Sequence, residues 1–185
     1  KESGDTPGTR KTFIYNTFEK LMKAISKSLK KNDPNHLNLG IRYGYIEQLD
    51  DELLRISKES FDALSFNCYA LSPDHEKMNH ALEISGLPMI IGEYHFGTVD
   101  RGLAQSLWQV NSQKERGDAF RYYTENAFAH RGLIGTGWFR WIDQNINGRT
   151  DGENYNCGFI DVTDRPYPYM VDAAIETAKS LYEIH

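Results

Sequence analysis

Apolar positions recur along this chain at two periods, helical and strand-like, and the two alternate. Phe18, Leu21, Met22, Ile25 and Leu29 fall at helical spacing within Phe13–Lys31, with lysines on the opposite side, and predict a first helix. Asn32-Asp33-Pro34-Asn35 ends it. His36–Tyr43 then reads as a strand, Asp50–Ser60 as a second helix and Phe61–Tyr69 as a second strand. Ser72-Pro73-Asp74 is a start signal for a helix over His75–Ser85, which Gly86 closes. Met89–Ile91 is a short continuous apolar run, the mark of a strand buried on both faces, here Pro88–Tyr94. Gln113–His130 predicts a helix with Phe120, Tyr123, Ala127 and Phe128 turned inward, Leu133–Ile142 a fourth strand, and Tyr169–Ile184 a last helix. Lys1–Lys11 reads as a loop or frayed end. Gly97–Ser112 and Asp143–Arg165 carry no periodicity, and loops of that length in a compact domain are functional or disordered.

Helices alternating with strands imply a parallel sheet built from right-handed crossovers. Four such units, in one domain over residues 1–185, make either an open doubly wound sheet or half of an eight-stranded barrel. Two features favour the half barrel. No Gly-rich phosphate turn follows any strand, so the usual nucleotide site of an open sheet is missing. The unusual residues also gather at the carboxyl ends of strands: Arg42, Asn67 with Tyr69, Glu93 with His95, and Trp138 through Gln144.

Composition narrows the function further. Charged residues make up 25% and the hydrophobic set 39%, an ordinary globular balance. A net charge of −5 without a basic stripe argues against nucleic acid as a partner. No apolar run is long enough to span a membrane. The two cysteines, Cys68 and Cys157, form neither a disulfide framework nor a metal-ligand spacing, and Asp151, Glu153 and Asn154 do not follow a calcium-loop pattern. No metal and no cofactor are therefore expected.

The candidate chemistry centres on Glu93. A charge at the end of a buried strand is costly unless something uses it or an arginine such as Arg42 pairs with it. Asn67 and Tyr69, two apart, share one face of their strand. Trp138 and Trp141, three apart, point to opposite faces, so one of them suits a sugar platform. His95, Gln144 and Asn154 are polar groups suited to sugar hydroxyls, and Trp108 to an outer subsite.

Asp33-Pro-Asn-His-Leu-Asn-Leu-Gly-Ile-Arg42, Ser65-Phe-Asn-Cys-Tyr69, Pro88-Met-Ile-Ile-Gly-Glu-Tyr-His-Phe-Gly97 and Gly137-Trp-Phe-Arg-Trp-Ile-Asp-Gln144 together resemble the second half of a retaining glycoside hydrolase barrel of the four-seven superfamily. With Asp151–Thr163 they look most like β-agarases and β-galactosidase-like enzymes. The resemblance runs from about Phe13 to His185. It implies strands five to eight of a (β/α)8 TIM barrel, with Glu93 as nucleophile and Tyr69 orienting it. It also implies Trp138 and Trp141 near the floor of the sugar site, and the residue reading adds Asn67, His95, Gln144 and Asn154 as further contacts to an oligo- or polysaccharide. The strand-four acid normally follows an asparagine, and no Asn-Glu pair occurs here. The acid/base is therefore expected upstream of Lys1, on the N-terminal half of the same barrel, or on a second copy. Were the catalytic unit complete within this chain, Glu47 would be the first carboxylate to test. The alternative is a non-catalytic carbohydrate-binding remnant of such a barrel. Action on a polysaccharide would favour a periplasmic or secreted protein.

Overall fold

The computed structural model describes residues 4–184; Lys1–Ser3, part of the expected frayed end, and His185 lie outside them. Five helices, α1 (Pro7–Asn32), α2 (Asp51–Ser60), α3 (His75–Ser85), α4 (Gln113–Phe128) and α5 (Pro168–Ile184), alternate with four strands. The strands are β1 (Arg42–Tyr43), β2 (Leu64–Asn67), β3 (Met89–Tyr94) and β4 (Leu133–Trp138). They form one parallel sheet in the order β1-β2-β3-β4. Spatial order follows chain order without reversal. Right-handed crossovers that all step the same way put their helices on one face of the sheet.

Burial along the strands agrees. Leu64 and Phe66, Met89 and Ile91, and Leu133 are wholly buried toward the helices, while Ser65, Asn67, Ile90 and Gly92 are half-buried on the other face. The run Met89–Ile91 is therefore not buried on both faces as its composition suggests. Each apolar side chain taken fully from water contributes about 1.5–3 kcal/mol, and Leu54 and Met78 extend this core into α2 and α3.

Local signals set the helix ends. α1 starts inside the stretch expected to be a loop, because Thr6 caps Thr9 and Pro7 stands at the first helical position. Asp50, Asp74 and Ser112 cap α2, α3 and α4, and Gly86 ends α3 in the left-handed region.

The first strand is far shorter than His36–Tyr43. Asn38 donates its backbone N–H to Asp62 Oδ2 (2.7 Å) and its side-chain amide to the Ser60 carbonyl (3.0 Å), and Gly40 takes a positive φ against the Phe61 ring. Asn38 and Gly40 thus tie this stretch to the end of α2 rather than to the sheet. A 3-10 turn, Ile46–Gln48, stands between β1 and α2, where the sequence shows no period. The fourth strand ends at Trp138, four residues short of expectation, and the Phe139–Arg140 peptide is cis. The outer margins of the sheet are unequal: β1 pairs through two residues, whereas β4 is six long with Ile134 half exposed. Among the described residues no helix is long and apolar enough to cross a membrane.

Candidate functional site

Glu93 sits at the carboxyl end of β3, where the β2–β3 register shifts so that Asn67 pairs with Glu93. Three side chains from two neighbouring strands hold it. Tyr69 donates its hydroxyl to Oε2 at 2.8 Å, and Asn67 donates its amide to the same oxygen at 3.0 Å. Arg42, from β1, reaches Oε1 at 2.7 Å. The guanidinium gets there by crossing Gly92, where a Cβ would stand 2.2 Å from Arg42 Cδ. Burial, and then the hydrogen bond to the Glu93 carboxylate, push the Tyr69 phenol well above its ordinary range. Tyr69 is therefore a fixed donor. The Asn67 Oδ1 is buried with no partner among the described residues.

A cavity of about 220 Å³ opens over this carboxylate. Tyr69, Glu93 and His95 line it on the strand side, and Leu107, Phe139, Arg149 and Glu153 close it from the loops. His95 is buried with both ring nitrogens engaged: Leu107 N–H donates to Nε2 (3.1 Å), so Nδ1 carries the proton and donates to the Phe139 carbonyl (2.9 Å). Burial holds its pKa down at about 4; the Phe139 carbonyl works against that, and the Arg116 charge adds to it. Its ring meets Tyr69 edge-on with centroids 4.8 Å apart. His95 is thus a strut between three walls of the cavity, and neither nitrogen is left for the sugar hydroxyl expected of it.

The strand-end tryptophans also fall elsewhere than expected. Trp138 faces the helices with Tyr94, packing against Tyr94, Phe120 and Phe159 and donating its indole N–H to the Cys157 carbonyl (2.7 Å). Phe139, the next residue, faces the cavity in its place. Trp141 is 68% exposed, stacked on Phe159, and outside the cavity lining. Asn154 is spent on loop backbone, accepting from Ala104 N–H and donating to the Ile146 carbonyl, both at 3.3 Å. Gln144 is wholly buried and bonds Glu153 behind the cavity wall (2.8 Å). Trp108 is a loop residue whose carbonyl accepts from Gly97 N–H and the Ser106 hydroxyl. Glu47 lies with Lys77 (2.9 Å) in a groove with Leu54 and His80, not in the Glu93 cavity.

Both long loops are locked to the start of α4 by one buried polar network. Arg116, fully buried, donates to the Phe96 carbonyl (3.2 Å), Gln113 Oε1 (2.6 Å) and the Gly158 carbonyl (2.6 Å). Gln113 passes the connection to Asn156 Oδ1 (2.7 Å), and Asn156 donates to Asp143 Oδ2 (2.8 Å). Tyr167 and the Gly158 N–H also donate to Asp143, at 2.6 and 2.7 Å. Burial pulls the Arg116 guanidinium below its ordinary range, and the negative charge of Asp143 opposes that. Gly97 lies against the same assembly, its Cβ position 2.8 Å from the Asn156 carbonyl oxygen. The polar richness of Asp143 and Asn156 therefore serves the loop scaffold, and Leu107, Arg149 and Glu153 are what the scaffold presents. Leu107 and Arg149 carried no signal in the sequence, since neither belongs to a period or a motif. Among the described residues no group of three or more His, Cys, Asp or Glu is placed to hold a metal ion.

No family model matches the chain. It is 36% identical to β-agarase A of Vibrio sp. (strain JT0107) over 165 residues, which is 85% of this chain and 16% of that protein. It is 34% identical to β-agarase B of the same strain over 170 residues, 88% of this chain and 17% of the relative. Among solved structures it superposes on an exo-β-agarase with a TM-score of 0.88 at 32% identity, covering 97% of this chain and 25% of that one. The chain spans about a sixth of the length of the curated relatives it matches.

Proposed function

The chain is homologous to a segment of the β-agarases, and from that premise we propose that it is the C-terminal half of a retaining glycoside hydrolase acting on β-galactosidic linkages of agar or related galactans. In this reading β1 to β4 are strands five to eight of a (β/α)8 barrel. The sheet order without reversal, the helices on one face and the half-open opposite face all support it. Residues 1–185 then form one part of a catalytic domain whose other half closes the barrel.

The observation that carries the proposal is the suspension of Glu93. Its two oxygens are held from different strands, Oε1 by Arg42 and Oε2 by Tyr69 and Asn67, at the carboxyl ends where barrels keep their chemistry. Three donors from two sides fix the direction in which the carboxylate points, as a nucleophile requires. Glu93 attacks the anomeric carbon, and the leaving oxygen takes a proton from a second carboxylic acid on the remainder of the barrel, about 5–5.5 Å away. Water, activated by that same acid in its ionised form, then releases the sugar with its anomeric configuration retained. In the complete protein, Glu93→Gln should lower turnover on agar oligosaccharides by orders of magnitude with the fold intact, and an activated 2-fluoro glycoside should label Glu93 covalently. Near-normal turnover of Glu93→Gln, or an inverted product, would end this reading.

A further inference from the structure

Glu153 is the second carboxylate of the Glu93 cavity. Its Oε2 accepts from Gln144 Nε2 at 2.8 Å and meets Arg149 Nη2 at 2.9 Å. Gln144 is itself immobilised, accepting from Tyr155 N–H (2.7 Å) and donating its own N–H to the Tyr155 carbonyl (3.1 Å). Glu153 Oε1 accepts no hydrogen bond from the described residues. Arg149, by contrast, is not an open cation: Asp151 takes its Nε (3.2 Å) as well as Nη2, and the Phe139 ring lies 5.9 Å beneath the guanidinium. Asp151 and Glu153 thus share the one guanidinium of Arg149, and the loop after β4 offers the cavity a held acceptor within a group of net negative charge.

We propose that Glu153 determines substrate specificity: its Oε1 accepts a hydroxyl hydrogen of a neutral galactan unit and turns away a unit bearing a sulfate ester at that hydroxyl. The inference rests on the reading of the cavity as a sugar site. A hydroxyl gains a charge-assisted hydrogen bond there, whereas a sulfate brings like charge and no donor.

The test uses the complete protein and compares kcat/KM on neutral agar oligosaccharides with that on sulfated galactan oligosaccharides of equal length. The native protein should prefer the neutral series. Glu153→Gln should lose about tenfold to a hundredfold on neutral substrate, the usual effect of removing a hydrogen bond to a charged group, and its preference over the sulfated series should narrow about tenfold. Glu153→Asp, which keeps the charge, should preserve the preference. A native protein without the preference, or a preference unchanged in Glu153→Gln, overturns the inference. So does loss of all turnover in Glu153→Gln with recovery on adding azide, which would make Glu153 the acid/base. These outcomes are read as ratios between substrates and are separate from the trapping of Glu93, so either assignment can fail without the other.

Discussion

The hydroxyl of Tyr69 donates to Oε2 of Glu93 at 2.8 Å across the step from β2 to β3. Asn67 shares that oxygen and Arg42 takes the other, so removing the hydroxyl alone leaves the carboxylate held on both oxygens but less firmly aimed. Tyr69→Phe in the complete protein should lower kcat about tenfold to a hundredfold, the equivalent of one hydrogen bond to a charged group. KM should change little and the unfolding midpoint should stay put. Steady-state kinetics on agar oligosaccharides check this; an unchanged kcat would leave Tyr69 with a packing role only.

Two glycines near the site should respond differently to the same methyl group. At Gly92 the added Cβ strikes the Arg42 side chain, which can swing away. Gly92→Ala should keep the fold but lose the Arg42–Glu93 pair, and its kinetic effect should not add to that of Arg42→Ala. At Gly97 the Cβ meets the Asn156 backbone carbonyl, which the buried network holds in place. Gly97→Ala should destabilise by about 1–3 kcal/mol. Thermal unfolding of both variants, with a double-mutant cycle for the first, separates the cases.

Arg116 is the positive charge of the buried network that also holds Asp143, and its substitution would leave Asp143 without that opposite charge and the Phe96 and Gly158 carbonyls and Gln113 Oε1 without their donor. Arg116→Met should cost about 3–5 kcal/mol. Arg116→Lys should recover little of it, because an ammonium cannot reach the Phe96 carbonyl, Gln113 and Gly158 together. Denaturant titration gives the values, and hydrogen exchange should show both long loops opening in either variant.

His95 makes stability depend on pH. Its pKa falls from 6.5 to about 4 on folding, chiefly through burial, so between those values the unfolded chain takes up a proton that the folded one refuses. The contribution is complete above pH 6.5 and is lost as pH falls to 4, by about 3 kcal/mol. Imidazole nitrogen NMR should show the Nδ1–H form persisting well below pH 6. A ring that titrates near 6.5 would contradict the buried strut.

Much of this site was legible because strand ends carry unusual residues. Glu93 follows from a continuous apolar run that ends in a charge, Asn67 and Tyr69 from their two-residue spacing, and the three meet in space. The helices were legible too, since caps such as Asp50, Asp74 and Gly86 are local. Trp138 falls elsewhere because the β3–β4 register shifts between Met89 and Ile90, leaving Ile134 as an extra residue; the alternation changes phase there, which turns Trp138 toward Phe120 and Phe139 toward the cavity. His95 looked like a ligand-binding group, but what decides its role is two backbone partners, the Leu107 N–H and the Phe139 carbonyl, 12 and 44 residues away. No local pattern encodes such pairings. The Arg116 network was invisible for the same reason: its members come from a helix start and two aperiodic loops.

The unequal margins of the sheet bear on how the segment behaves at high concentration. A two-residue margin at β1 gives an incoming chain almost nothing to pair with. The six-residue β4, with Ile134 half exposed and Tyr182 almost fully exposed near its flank, is a ready template for intermolecular ladders. Aggregation of these 185 residues in isolation should therefore nucleate at β4, and Ile134→Lys should delay it far more than Ile41→Lys beside β1. Light scattering over time, set beside hydrogen exchange of the β4 amides, would show which margin recruits the first neighbour.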